Sequence, residues 1–366
     1  MRRKNGSVFR KSADGVRILM KIPVFNPTIR RKDLDAVLTC MVDDKLGTGE
    51  LTDALVAAVS EKLGHAGGVA VRDPGKGMAL LYRLLCTDEK RGILLSALSP
   101  VYYADPVAAA AADLKLCDVD LKTALIDSAA AGSRFDGTVA AVILTDTLGN
   151  IVPAEDFSAH GVPLIRDVTA SFGAVLPPAE ENGSEGRPLG SDVDYCLLSL
   201  EPDSPITGGG GLVITAKNRI QASKLKHLLS EYAPETVLSD LNASLARIQV
   251  AAADEALRRR KEIFSIYMAA FMRSRKETLS FSKYADGFYS AFPILLDVDA
   301  REIIKYAAKK GVEVRFAFEK TILSSAEDAG CPHALNLTNR CLIFPLYPML
   351  SAEDCKLIAK LISTVA

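Results

Sequence analysis

Val139-Ala140-Ala141-Val142-Ile143-Leu144, then Leu148-Gly149-Asn150, then Pro163-Leu164-Ile165-Arg166-Asp167 with Val168-Thr169-Ala170-Ser171-Phe172-Gly173-Ala174 behind it, is the stretch from which the fold is read. The first run is nearly continuous in apolar residues, as a strand buried on both faces requires. The run Pro163–Ile165 follows the same pattern and leads straight into an acid. Outward from these two, Val69–Val71, Ile93–Leu95, Leu114–Cys117, Tyr195–Leu198 and Leu212–Ile214 are further strand candidates. Helical patterns lie between them; Pro74-Gly75, for instance, opens a helix through Met78, Leu81 and Leu85. Strands separated by helical stretches predict an α/β protein with a largely parallel sheet and helices on both sides.

Toward the C-terminus the character changes at about Leu241. Leu241–Phe271 reads as one long helix or two successive ones, with Arg258, Arg259 and Arg260 on an exposed side. Phe292–Leu296 as a strand, Arg301–Lys310 as a helix, Val312–Phe316 as a strand and Ala352–Ile362 as a closing helix make a second, smaller α/β unit. Residues 1–20 read as a mobile basic extension, 21–250 as the large domain and 251–366 as the small C-terminal domain. Ala179–Gly190, rich in Glu, Gly and Pro, reads as a surface loop.

A chain of 366 residues with net charge -1 carries no global signal for nucleic acid or a membrane surface. No stretch reaches the roughly 18 to 20 apolar residues that cross a bilayer, and no apolar segment follows the basic N-terminus as in a signal peptide. The seven cysteines are scattered singly with no C-x-x-C pair, which fits buried thiols in a reducing cytoplasm. The four histidines are isolated too, so no metal site is expected.

In open α/β sheets ligands bind at the carboxyl ends of strands. That rule singles out Asp167, Tyr102 after the strand Ile93–Leu95, and the run Gly208–Gly211. Each has a plainer reading. An Asp after a strand is most often a helix N-cap, Tyr102 fits a core position, and a glycine run without a following helix is a flexible loop rather than a phosphate cradle.

The order of the motifs is more specific than any one of them. Ile22-Pro23-Val24-Phe25-Asn26-Pro27, Gly47-Thr48-Gly49-Glu50 before an amphipathic helix ending at Gly64, Asp118-Val119-Asp120, Leu148-Gly149-Asn150 and Asp167 through Ala174 follow in sequence. Gly311-Val312-Glu313-Val314-Arg315, Cys331-Pro332-His333-Ala334 and Phe344-Pro345-Leu346-Tyr347-Pro348 close the series. From Ile22 onward the chain resembles the DegT/StrS family of sugar aminotransferases. The resemblance implies fold type I, the fold of enzymes dependent on pyridoxal phosphate (PLP), with a large, mainly parallel-sheet domain and a smaller C-terminal α/β domain. It implies a nucleotide-linked sugar as ligand and a homodimer, or a pair with an active relative. Asp167 matches the aspartate that pairs with the pyridine nitrogen and keeps the ring an electron sink. Tyr102 matches an aromatic ring stacked on the cofactor, and Ser199 a hydroxyl on its phosphate.

Four sites depart from the family pattern. Its Schiff-base lysine, five residues after the serine, is Ser204 here, and no lysine stands between Lys122 and Lys217. A hydroxyl neither forms the imine nor shuttles the proton of a 1,3-transfer, so PLP, if bound, is held non-covalently and no catalytic residue is assigned. The phosphate-binding Ser-Gly-Thr turn reads Gly75-Lys76-Gly77. Lys76 is then an exposed first-turn lysine, an anion ligand beside Gly77 at the helix N-terminus, or a substitute for the missing lysine. Ala170 stands where the family has Gln or His, and Glu235-Thr236-Val237 where it has Asn-x-Arg. The combination points to a pseudo-transaminase. Two alternatives stand beside it: an active enzyme using PLP or its amine form (PMP) on a nucleotide-linked keto sugar, and a sugar-nucleotide sensor.

Overall fold

The computed structural model describes residues 8–11, 17–20, 22–107, 110–178, 185–272, 276–281, 289–296, 300–325 and 330–365. Within the basic extension, β1 (Val8–Lys11) and β2 (Arg17–Met20) pair as an antiparallel hairpin. Helices α1 (Arg31–Val42) and α2 (Glu50–Leu63) follow. Helix α2 ends where the sequence places it, with Gly64 at φ 70 as the left-handed cap.

The central sheet has seven strands. In chain order they are β3 (Gly67–Val71), β4 (Gly92–Ser96), β5 (Asp113–Cys117), β6 (Val139–Thr145), β7 (Leu164–Asp167), β10 (Tyr195–Ser199) and β11 (Leu212–Ala216). Their spatial order is β3-β11-β10-β7-β6-β4-β5. The pairs from β10 to β5 are parallel, and β11 runs antiparallel to both its neighbours. Helix α3 (Pro74–Leu85), α4 (Ser128–Gly132), α5 (Glu155–Ser158) and α6 (Arg219–Leu229) connect them. One apolar core lies on each face: Leu94, Val142, Leu144 and Leu198 point to one, Ile93, Leu95, Ile143 and Leu197 to the other. This alternation along strands buried on both sides is why their sequences read as continuous apolar runs. Short strands β8 (Val175–Leu176) and β9 (Arg187–Pro188) pair beside the sheet, in the stretch read as a surface loop; residues 179–184 of that loop lie outside the described residues.

The C-terminal part begins with α7 (Asp240–Ala251) and α8 (Ala253–Phe271), two helices broken at Ala252. Helix α8 starts in the core of the large sheet at Ala253 and Leu257 and ends in a separate core with Ile263, Tyr267 and Phe271. That core is completed by the sheet β12-β14-β13, where β12 is Phe292–Leu295, β13 Arg315–Phe316 and β14 Cys341–Phe344. Helices α9 (Ala300–Lys309), α10 (Pro332–Arg340) and α11 (Ala352–Val365) complete the described chain. None of its described helices is long and apolar enough to cross a membrane.

Two expectations fail here. Arg260 is not on an exposed side: it is 4% exposed and donates to the carbonyl oxygens of Tyr289, Ser290 and Leu346. Three consecutive helical residues fan over about 200°, so they cannot share one face, and Arg260 falls on the stripe of Leu257, Ile263 and Tyr267. Burial lowers its pKa to about 9. The strand expected over Val312–Phe316 is also shorter, because Val312 bridges Ile22 instead of joining the sheet and only Arg315–Phe316 pair with β14.

Several of the ordered motifs hold the two sheets together. Asp118, just beyond β5, accepts from the backbone N–H groups of His333 and Ala334 at the start of α10. The buried Glu313 acts within the C-terminal core instead, accepting from Val24 N–H and from Arg315. The amide of Asn150 donates to the carbonyls of Thr123 and Ser280. Asp118→Ala leaves two first-turn N–H groups of α10 without their acceptor and should cost about 1 kcal/mol, measured as a lower denaturation midpoint at unchanged slope.

Candidate functional site

The carboxyl ends of β4, β6, β7 and β10 open on one edge of the sheet. The chain leaves β4 for β5 on one side, while β6 lies on the other, so the strand order reverses at the crevice between β4 and β6. Ser99 and Thr145 share a 2.9 Å hydrogen bond across it. Asp167, which the plainer reading made a helix N-cap, is instead the last residue of β7 and is 3% exposed. One of its carboxylate oxygens accepts from Thr169 N–H at 3.0 Å. The other accepts from the Tyr103 hydroxyl at 2.6 Å. Burial raises the Asp167 pKa, against hydrogen bonds from Thr169 and Tyr103. Burial, followed by the Asp167 charge, holds Tyr103 well above the ordinary phenol range, so Tyr103 is a neutral donor and Asp167 the acceptor.

Tyr103 was not singled out in the sequence, and Tyr102 beside it was. The two sit on a short 3-10 turn, Val101–Tyr103, where successive side chains point about 120° apart. Their rings meet edge to face with centroids 4.9 Å apart. Tyr103 is fully buried and its carbonyl accepts from the Tyr82 hydroxyl of α3 at 2.9 Å. Tyr102 is partly buried and its hydroxyl meets Ser199. The only signal in the sequence was the adjacent pair of tyrosines, which could not say which one turns inward.

Ser199 ends β10. Its N–H donates to the Thr169 hydroxyl at 2.9 Å and its Oγ accepts from Ser204 at 3.3 Å. Ser204 is therefore at the strand end next to Ser199, half-buried. Next to it, Asp203 pairs with Lys320 at 2.6 Å. Lys320 arrives from the C-terminal part, where Pro100 bridges Thr321 and Val101 N–H donates to the Lys320 carbonyl. The glycine run closes the β10–β11 loop: Gly208 and Gly210 both donate to the Leu200 carbonyl, and β11 follows directly. A strand rather than a helix follows, so the run has no helix N-terminus to aim at a phosphate, as the sequence suggested.

At the start of α3, Asp73 accepts from Lys76 N–H at 2.8 Å as the N-cap. A Cβ added at Gly75 would lie 3.2 Å from an Asp73 oxygen and 3.9 Å from an oxygen of Asp105. Two carboxylates thus flank this turn. Lys76 is exposed. Gly77 is buried against β3 and β11, with the place of a Cβ only 2.8 Å from Leu212 and from Val71. Glu235 is exposed, while Thr236 accepts from Arg72 and Val237 bridges Val71 at the edge of β3.

The sequence from 27 to 363 matches the model of the DegT/DnrJ/EryC1/StrS aminotransferase family. Among solved structures, the chain is similar to the aminotransferase TlmJ from Streptoalloteichus hindustanus, with 22% identity, 94% of this chain and 98% of that chain covered, and a TM-score of 0.82. It is similar to Spr1654 from Streptococcus pneumoniae, a candidate sugar aminotransferase in its PLP form: 17% identity, 94% and 98% covered, TM-score 0.83. A third is DesI, determined in the presence of its TDP-sugar product: 16% identity, 93% and 91% covered, TM-score 0.78. No curated protein matches the chain. The architecture is that of the PLP-dependent aminotransferases of fold type I.

Proposed function

The chain belongs to the DegT/DnrJ/EryC1/StrS aminotransferase family, and from that premise we propose that it is a member that has given up transamination and keeps the fold to bind a nucleotide-linked sugar or a partner subunit. The observation that carries this reading is the lysine-free stretch from Thr123 to Ala216, which spans β6, β7 and β10. Ser204 stands where the family lysine belongs, against Ser199 at the end of β10. A serine hydroxyl cannot condense with an aldehyde to an imine or return a proton as an amine does. The lysine that does come to this turn, Lys320, pairs with Asp203.

The expected ligand class follows the relative solved with a TDP-sugar, and a homodimer is the expected assembly. With six of its seven free cysteines buried, the protein suits a reducing cytoplasm. The test is spectroscopic. Purified protein loaded with PLP and then freed of the excess should keep no visible Schiff-base band and no stoichiometric pyridoxyl label after borohydride. A retained band that borohydride abolishes, with stoichiometric label on one lysine, overturns the proposal. Thermal shift with nucleotide sugars in the absence of PLP separates a binding protein from one that acts only through a partner.

A further inference from the structure

The loss of the lysine leaves open that the cofactor binds without a covalent bond. We propose that it does not, because the cofactor cleft of this chain is closed by its own side chains: Tyr103 occupies Asp167, and Asp73 and Asp105 occupy the α3 turn. This deepens the reading of the chain as non-transaminating and rests on the same site.

The residues present do not fit PLP at either end. Each carboxylate oxygen accepts up to two hydrogen bonds, so a ring N–H would have to share an oxygen with a donor the chain already supplies. Both oxygens of Asp167 already have a protein donor, Thr169 N–H on one and the Tyr103 hydroxyl at 2.6 Å on the other. A hydrogen bond from hydroxyl to carboxylate is among the stronger kinds, and Asp167 is not among the buried polar atoms left without a partner. Tyr103 cannot simply swing aside. It is fully buried in the core that holds Met78, Tyr82 and Ile143, and the Tyr82 hydroxyl fixes its backbone. At the other end, a phosphate needs the free N–H groups of a helix N-terminus. Here Asp73 already accepts from Lys76 N–H, and Asp105 adds a second carboxylate at Gly75. A doubly charged phosphate at that turn would meet two exposed carboxylates against the single exposed ammonium of Lys76. The segment 102–105 links both ends, since Tyr103 holds Asp167 and Asp105 stands at the α3 turn.

The experiment is a calorimetric titration with PMP, which needs no lysine, on the full chain. Wild type should show no saturable heat up to about 1 mM. Tyr103→Ser with Asp73→Ser opens the Asp167 oxygen and the turn, while serine still caps α3. This variant should gain at least about tenfold in affinity, and Asp167→Ala added to it should remove the gain. Should Tyr103→Ser fail to fold, Tyr103→Phe with Asp73→Ser frees the same oxygen at nearly constant volume and should show the gain. Saturable PMP binding by wild type at micromolar concentration overturns the closure while leaving the loss of transamination intact. Folded variants that bind no better than wild type overturn it as well. A borohydride-sensitive band in wild type overturns the parent reading instead.

Discussion

Arg166→Met should lower the unfolding free energy by about 3–5 kcal/mol, the usual cost of removing one partner from a buried ion pair. The guanidinium is completely inaccessible. It donates to Asp146 at 3.0 Å, to the Val152 carbonyl at 2.9 Å and to Asp192 at 2.9 Å. Asp146 also accepts from Ser171 and from Val152 N–H. Burial raises the Asp146 pKa to about 6 even with Arg166 beside it, and the Arg166 charge is the largest force holding it down. Without that charge burial dominates and the carboxyl takes up a proton in the folded state. A raised carboxyl pKa gives stability that is present below the unfolded value, 3.8, and lost as pH rises through the folded value. The deficit of Arg166→Met should therefore be larger at pH 8 than at pH 5. Adding Asp146→Asn removes the stranded charge and should recover part of the loss. Equilibrium urea unfolding of the single and double variants at both pH values measures this. A deficit under about 1 kcal/mol, or one independent of pH, would show that the pair does not support the fold.

Gly211→Ala is the second large effect, about 3 kcal/mol from backbone strain and overpacking together. Gly211 has φ +117, and its added Cβ would lie 2.6 Å from Leu238 Cδ1 and 2.9 Å from the Val71 carbonyl oxygen. Its own carbonyl accepts from Leu200 N–H, and its N–H donates to Glu201. A shift at Gly211 is thus passed to the turn that carries Ser204. Gly209→Ala is the control. Its φ of +78 is also left-handed, but the nearest atom to a Cβ there is Asn242 Nδ2 at 3.6 Å. It should pay only the conformational cost, about 1 kcal/mol. Equal destabilisation of the two variants would mean that contact with Leu238 and Val71 contributes nothing.

Both positions were passed over or read as bland in the sequence. Arg166 sits inside an apolar strand, and its partners lie 20 and 26 residues away, so nothing local announces the pair. The glycine run was legible as a loop with no helix behind it, because a strand pattern follows it. Which glycine is indispensable depends on Leu238 and Val71, which come from other elements.

The strands and most helices were legible because burial on both faces imposes a pattern on every strand, and that pattern is local. The family was legible because its motifs keep their order; Asp118 and Asn150 in those motifs turn out to fasten the large sheet to the C-terminal part, and Glu313 ties the segment at Val24 onto the C-terminal sheet. That no lysine stands between Thr123 and Ala216 is a fact of the sequence alone, whereas the arrival of Lys320 beside Asp203 is a fact of the tertiary structure. Only the tertiary structure decided which tyrosine meets Asp167. Tyr102 and Tyr103 are indistinguishable as letters, and the direction of a side chain on a tight turn is set by what packs around it. Here Tyr82 from α3 and Asp167 from β7, 21 and 64 residues away, fix Tyr103 facing inward.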